Sequence, residues 1–329
     1  MSKTVNVIES ISAECENKEV AFEANEKNAW ATLKFDKLGE KKLNITVNGK
    51  RTFIKLNVLR PLKDILESRV KFIAEKQQFQ KNGSKLDGAY LIFDRATDSI
   101  YNNADFPDHN SARERLSMGA LMALSLRICS DKKREESLRK HREFIEREIL
   151  DLNSGYVNDG VNRNTVRLFN FPWVSTYYLE WYNFSKDTEC LLTSSRVLHK
   201  YYELGGANQE SPCIEAYEIL QHLKSEKMFD EYEKLKKEFI GQADSILKRR
   251  TSSSSHEVSC AIGMMNLMST FLFQAFLPTK DKKYLNTIEE LLKISESFFD
   301  CQPDFKMYSI ALRYAFRQRR TIRELRGVA

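Results

Sequence analysis

The sequence contains no CxxC pair and no dense cysteine framework: its six cysteines, Cys15, Cys129, Cys190, Cys213, Cys260 and Cys301, lie far apart in 329 residues. That spacing excludes a disulfide-stapled fold and reads as reduced, mostly buried thiols in a reducing compartment. The five histidines, His109, His141, His199, His222 and His256, are equally scattered. With no HExxH and no Cys/His spacing of zinc type, no metal site is expected. A P-loop, a GxGxxG turn after a strand and a GxSxG elbow are all missing, so nucleotide, dinucleotide and serine-hydrolase chemistry lack support and no cofactor is expected. The N-terminus has no apolar signal core before its first acid, which argues against export and for a cytoplasmic protein.

Positive charge on the body of the chain is also thin. The formal net charge is +6, but Arg317, Arg319, Arg320, Arg323 and Arg326 less Glu324 supply +4, leaving 6 − 4 = +2 for everything before them. A nucleic-acid footprint is a face or stripe on a folded element, so no nucleic-acid partner is expected. One run, Val258 to Leu277, carries no charge over about the length of a membrane span. Ser259, Asn266, Ser269, Thr270 and Gln274 interrupt it, and a helix apolar all round is what the centre of a large helical protein requires, so no membrane partner is expected either.

What is present is a change of period along the chain. Val5–Ile8, Val20–Phe22, Trp30–Phe35, Leu43–Val47 and Thr52–Ile54 read as strands, and Asn48-Gly49 between two alternating runs is a hairpin signal. Residues 1–58 are therefore expected to form a small β-sandwich-like domain. Pro61 opens a charged helical stretch that Asn82-Gly-Ser84 ends, giving a linker helix and connecting segment over 59–103. From 104 to 329 the period is helical, with helices expected near 111–129, 134–150, 172–184, 187–204, 212–223, 227–248, 256–277, 281–299 and 305–316. Asn153-Ser-Gly155, Gly205-Gly206, Thr251–Ser255, Pro278 and Pro303 break them. No consensus repeats at a fixed period, which counts against common helical arrays. Stretch 256–277 is almost uncharged, whereas 134–150 and 227–248 are charged on one face, with Glu143 and Arg147, and Glu233 and Lys237, at i,i+4. A sheathed inner ring and an amphipathic outer ring would show that contrast, so a mostly α fold of α/α-toroid type is expected.

Three stretches concentrate chemistry. Asp105 to Arg115 crowds acids, arginines and His109 ahead of an apolar helix, where helix-end N–H groups would hold an anion; a plain N-cap with an Arg-Glu-Arg ion-pair knot explains it about as well. Gly155 to Arg163 is a polar loop carrying Asp159, followed by Phe171-Pro172-Trp173 and an aromatic stripe at 173, 177 and 181. Such a stripe is more often core than ligand platform, yet Trp and Tyr offer a flat face to a sugar ring. Ser252 to Glu257 places His256 and Glu257 at the start of the uncharged helix, as acid/base groups or as an ordinary cap.

Taken together, the β-rich start, the linker helix, Asp108-His-Asn-Ser-Ala-Arg-Glu-Arg-Leu-Ser-Met-Gly119, Phe171-Pro-Trp173 and Ser255-His-Glu-Val258 resemble the six-hairpin glycosidase-like proteins, nearest to a bacterial β-glucuronidase-type group. The resemblance implies an α/α toroid of six hairpins whose funnel binds a saccharide, with Arg113, Glu114, Arg115, Trp173, His256 and Glu257 in family-like places. Two departures stand out. Ser259, Cys260 and Ala261 replace an aromatic and a second glutamate, and after Tyr314 the chain turns to an Arg-rich tail in place of further ring helices. The tail reads as a truncated end and the toroid as incomplete.

The expectation is a glycoside hydrolase by descent, cleaving an oligosaccharide, with a uronic acid as one candidate component. Asp108, Glu114, Asp159 and Glu257 form the pool of catalytic carboxylates; Arg113 or Arg115 pairs a substrate carboxylate, Trp173 stacks on a ring and His256 binds substrate. The alternative is a helical scaffold or saccharide-binding remnant that has lost turnover. Exposed inner helices would also favour self-association.

Overall fold

The computed structural model describes residues 8–16, 18–24, 29–101, 116–161, 163–209, 214–249 and 262–296. The chain divides into two compact units between Ser68 and Arg69. In the first, β1 (Ile11–Cys15), β2 (Lys18–Val20), β5 (Gly39–Val47) and β6 (Lys50–Val58) form an antiparallel sheet in the order β2-β1-β5-β6, while β3 (Glu23–Ala24) and β4 (Ala29–Trp30) make a separate ribbon. The β5–β6 hairpin turns at Asn48 and Gly49, whose φ values of 48° and 76° are the left-handed ones a two-residue turn needs. Alternation puts Ala13, Cys15 and Leu43 on one face, where Val20, Phe22, Leu33, Phe35 and Ile45 pack against them.

Helix α1 (Leu62–Phe72) runs into a π turn at Ile73–Gln77, and a short hairpin of β7 (Ile92–Asp94) and β8 (Ser99–Tyr101) follows. The remaining described helices come in pairs: α2 (Leu116–Ile128) with α3 (Lys132–Phe144), α4 (Phe171–Ser185) with α5 (Thr188–Glu203), α6 (Ala216–Ser225) with α7 (Phe229–Arg249), and α8 (Ile262–Thr279) with α9 (Lys282–Glu296). Short links turn each pair back on itself. Asp131 and Asp187 start α3 and α5 by accepting the N–H of Arg134 at 2.9 Å and of Glu189 at 3.0 Å. Three links end the preceding helix on a lysine in the left-handed region, Lys186, Lys227 and Lys280, with φ of 60°, 59° and 57°. A glycine would adopt that conformation freely; each lysine pays about 1 kcal/mol for it.

Helices α2 and α4 pack on each other, as do α6 and α8, while α5 packs on α7. The inner members α2 and α4 carry one charged residue each, Arg127 and Glu180, and α8 carries none, whereas α3, α5, α7 and α9 have a charged face. That division is the pattern of an α/α toroid. Two details differ from expectation. The helix expected over 134–150 ends at Phe144 and continues as a π turn, Ile145–Ile149. On that turn Arg142 pairs with Glu146 at 2.6 Å, and Arg147 gives its guanidinium to the carbonyls of Lys85 and Asp87. Pro278 sits in the last turn of α8, which ends one residue beyond it; having no N–H, it offers none to the Gln274 carbonyl one turn earlier. Among the described residues no helix is long and apolar enough to cross a membrane.

The core at the α2–α3–α4 contact is polar in composition but closed to water. His141 is fully buried, stacks on Tyr90 at 4.2 Å between centroids and faces the Tyr177 hydroxyl through Nδ1 at 3.2 Å. Burial lowers its pKa to about 3, so the ring is neutral in the folded protein.

The outer layer holds an opposite case. His199 on α5 lies between two carboxylates of α7, with Nδ1 2.5 Å from Glu238 and Nε2 2.9 Å from Glu231; Ser195 Oγ, at 3.5 Å, Tyr202 and Lys234 complete the surroundings. Burial opposes the imidazolium, but the hydrogen bonds to Glu231 and Glu238 outweigh it and raise the His199 pKa, while His199 brings Glu231 down to about 2. The histidine contribution is complete below its ordinary value of 6.5 and is lost as pH rises through the raised folded value. The Glu231 contribution is complete above 4.5 and is lost as pH falls toward 2. Stability from this clamp therefore peaks between those two ordinary values. His199→Gln is expected to cost about 2 kcal/mol in that window and less above it, read from urea midpoints against pH. Parallel pH curves for the two proteins would contradict the assignment.

Candidate functional site

The loop expected around Asp159 is a hairpin of β9 (Asn158–Gly160) and β10 (Arg163–Val166). Its approach is fixed from outside. Asp151 accepts from Asn153 N at 2.9 Å and Ser154 Oγ at 2.6 Å, Arg196 of α5 donates to Leu152 O at 2.9 Å, and Gly155 passes so close to the Arg196 carbonyl that an added Cβ would lie 2.6 Å from it. The sequence reading missed the hairpin because Asn-Asp-Gly is turn composition, and the pairing that makes it a strand is supplied by tertiary packing.

This hairpin seats Asp159 at the entrance to α4. Its side chain is 6% exposed, and Asn170, fully buried at the helix N-cap, donates Nδ2 to Asp159 Oδ1 at 3.4 Å. The Asn170 Oδ1 has no partner among the described residues. Pro172 in the first turn, with its fixed φ, sets the direction in which Trp173 leaves the helix. Trp173 is half-buried and meets Phe169 edge-on, 4.9 Å between centroids; Phe169 is 42% exposed, and the Arg167 guanidinium lies 5.8 Å from the Phe169 centroid. The result is a carboxylate, a buried amide and an aromatic shelf edged by a cation, all at the start of one inner helix. A sugar ring can lie on such a shelf, and a carboxylate beside it can move a proton or hold a hydroxyl.

Of the residues expected from sequence, Asp159 meets Asn170 and Trp173 meets Phe169, both at the start of α4. Asp108, Arg113, Glu114, Arg115, His256 and Glu257 lie outside the described residues. The aromatic stripe divides: Tyr177 and Trp181 are buried core, Tyr177 against His141 and Trp181 under the Arg142 guanidinium at 5.1 Å, while Trp173 alone keeps an open edge. Arg167, Phe169 and Asn170 were not singled out from the sequence. Their signal was an apolar pair flanked by polar residues, Arg167-Leu-Phe-Asn170, running into Pro172. Among the described residues no group of three His, Cys, Asp or Glu side chains is placed to hold a metal ion.

One solved structure shares this fold, and a second resembles it more distantly. A polysaccharide lyase superposes with a TM-score of 0.75 over 91% of this chain at 25% sequence identity, and the matched part is 45% of the lyase's own length. A family 76 glycoside hydrolase from a bovine Bacteroides thetaiotaomicron strain matches more loosely, with a TM-score of 0.46, 11% identity, and 89% of this chain on 73% of that one. Both are carbohydrate-active enzymes. The chain is mostly α, of the toroid class, behind a small antiparallel β unit. No family model matches the sequence, and no curated protein does.

Proposed function

We propose that this chain carries a saccharide-cleaving site that acts on a uronate-containing polysaccharide. The observation that supports it best is the 25% identity with a polysaccharide lyase over nearly the whole of this chain. Elimination is the chemistry such a name implies. It needs a carbon acid, and a uronate provides one at C5, where the adjacent carboxyl group stabilises the negative charge that builds as the proton leaves. A base takes the C5 proton, its electron pair forms the C4–C5 double bond, the C4–O bond breaks, and the departing oxygen receives a proton. Arg113 or Arg115 pairs the sugar carboxylate, and Trp173 with Phe169 carries a ring.

Hydrolysis is the second reading, favoured by the buried carboxylate of Asp159 beside the aromatic shelf and by the resemblance to six-hairpin glycosidases. It draws on Asp108, Glu114, Asp159 and Glu257 for a protonated acid on the leaving oxygen and a carboxylate for water or the anomeric carbon, at a separation that sets the stereochemical outcome. Treating polygalacturonate, an alginate, a glucuronide-bearing polymer and neutral polymers with the chain, and reading both new reducing ends and ultraviolet absorbance, separates the cases. New ends with absorbance from the conjugated unsaturated uronate support elimination; new ends without it support hydrolysis. Silence on every uronate polymer contradicts the proposal.

A further inference from the structure

A second cluster of groups, built of residues other than those around Asp159, lies where the end of α1 and its π turn meet the β7 strand. Phe72 and Phe93 pack edge to face at 5.2 Å, each half-buried. The Arg69 guanidinium lies over the Phe72 ring at 5.6 Å, and the Lys76 ammonium over the Phe93 ring at 5.9 Å. Arg69 and Lys76 flank Phe72 on one helical face, and Arg95 follows Phe93 by two residues, so three cations gather around one aromatic pair. The Arg69 pKa is lowered, first by burial and then by the charge of Arg95. Like charges held together in this way repel, and the usual remedy is an intervening carboxylate.

None is there among the described residues. Arg69, Lys76 and Arg95 have no carboxylate within ion-pair distance, and the neighbouring acids are engaged elsewhere. Asp94 accepts from Ala96 N at 2.8 Å and from Thr97 Oγ1 at 3.0 Å, and Glu75 faces Lys71 at 4.0 Å. Two arginines and a lysine with no ion-paired carboxylate among the described residues, one of them partly desolvated, form a receptor for an anion supplied from outside. We propose that Arg69, Lys76 and Arg95 form a subsite for the acidic groups of a polyanionic saccharide, separate from the site at Asp159. The ligand class rests on the uronate reading above. A nucleic acid fits less well, because Arg69 and Lys76 cover ring faces on which a base would stack, and the body of the chain has only 6 − 4 = +2 of net charge.

The subsite is tested by titrating the full chain with a galacturonic acid tetrasaccharide, a sulfated disaccharide and polyuridylate, for the wild type, Arg95→Gln and the control Lys133→Gln on α3. Arg95→Gln is expected to weaken uronate binding by about tenfold, the loss of one charge-assisted contact, while Lys133→Gln leaves it unchanged. Because Arg95 only repels Arg69 in the free protein, its replacement is expected to leave the melting temperature unchanged or raise it; a merely structural Arg95 would lower it. Preference for the sulfated sugar names sulfate as the natural group and keeps the subsite. Equal uronate affinity in wild type and Arg95→Gln, no affinity for either acidic sugar, or tighter binding of polyuridylate overturns it. Binding without cleavage of any polymer leaves the subsite standing and sinks the cleavage reading; cleavage with Arg95-independent binding does the reverse.

Discussion

Gly119→Ala is expected to destabilise the protein by about 3 kcal/mol, one of the largest effects available from adding a single methyl group. Gly119 lies in α2 against the two helices that define the helical core. A Cβ there would run into the Tyr177 ring and come to 2.8 Å from His141 Nδ1 and 2.9 Å from its Cε1. Neither neighbour can move aside. Both are fully buried, His141 is held by its stack on Tyr90 and by the Tyr177 hydroxyl, and Tyr177 is packed at right angles to Tyr178 as well. The clash must then be taken up by separating α2 from α4, which opens the interface at the base of the candidate site. Urea denaturation of the two proteins measures it. A midpoint shift equivalent to less than about 0.5 kcal/mol would show that this core is looser than its packing implies. Since His141 titrates near 3, the loss is expected to be the same at mildly acidic and neutral pH.

Asp159→Ala is expected to lower turnover by about a hundredfold or more, the usual scale for removing a proton-transferring group. Asp159→Asn separates charge from shape. It preserves volume and the ability to meet Asn170, so its stability is expected to stay within about 1 kcal/mol of wild type while kcat falls with KM little changed. A structural role alone would give the opposite result: reduced stability in both variants and turnover that recovers once the folded fraction is accounted for. An Asp159→Asn protein with kcat within about twofold of wild type would remove Asp159 from the chemistry.

Most of the helical architecture is legible in the sequence because its punctuation is local. Asn153-Ser-Gly155 and Gly205-Gly206 mark breaks between helices, Pro172 fixes the first turn of α4, and Asn48-Gly49 fixes the hairpin turn. The uncharged α8 beside the amphipathic α7 marks the inner and outer layers. What stays hidden depends on contacts distant in sequence. The π turns after Phe72 and Phe144 carry no composition of their own, and β9 is a strand only because β10 pairs with it. An ion pair shifts as well: Arg147 pairs with the adjacent Glu148 and donates to the carbonyls of Lys85 and Asp87, where the spacing pointed to Glu143. At the candidate site, Asp159 and Trp173 were legible as an acid and an aromatic near a helix start, but Asn170, which meets Asp159, and Phe169, which meets Trp173, were not. The Arg69–Lys76–Arg95 cluster is invisible to any reading by spacing, since α1 and β7 meet only in the fold.

On the proposed function, the carboxyl group of the sugar is both what the protein recognises and what makes the bond cleavable. This is tested most directly by offering the chain a set of uronate polymers, each in native form and after reduction of the carboxyl groups to alcohols, and following chain length and new ends. Cleavage of the native polymer with none of the reduced one is the predicted result. Equal cleavage of both, or of neither, would contradict it.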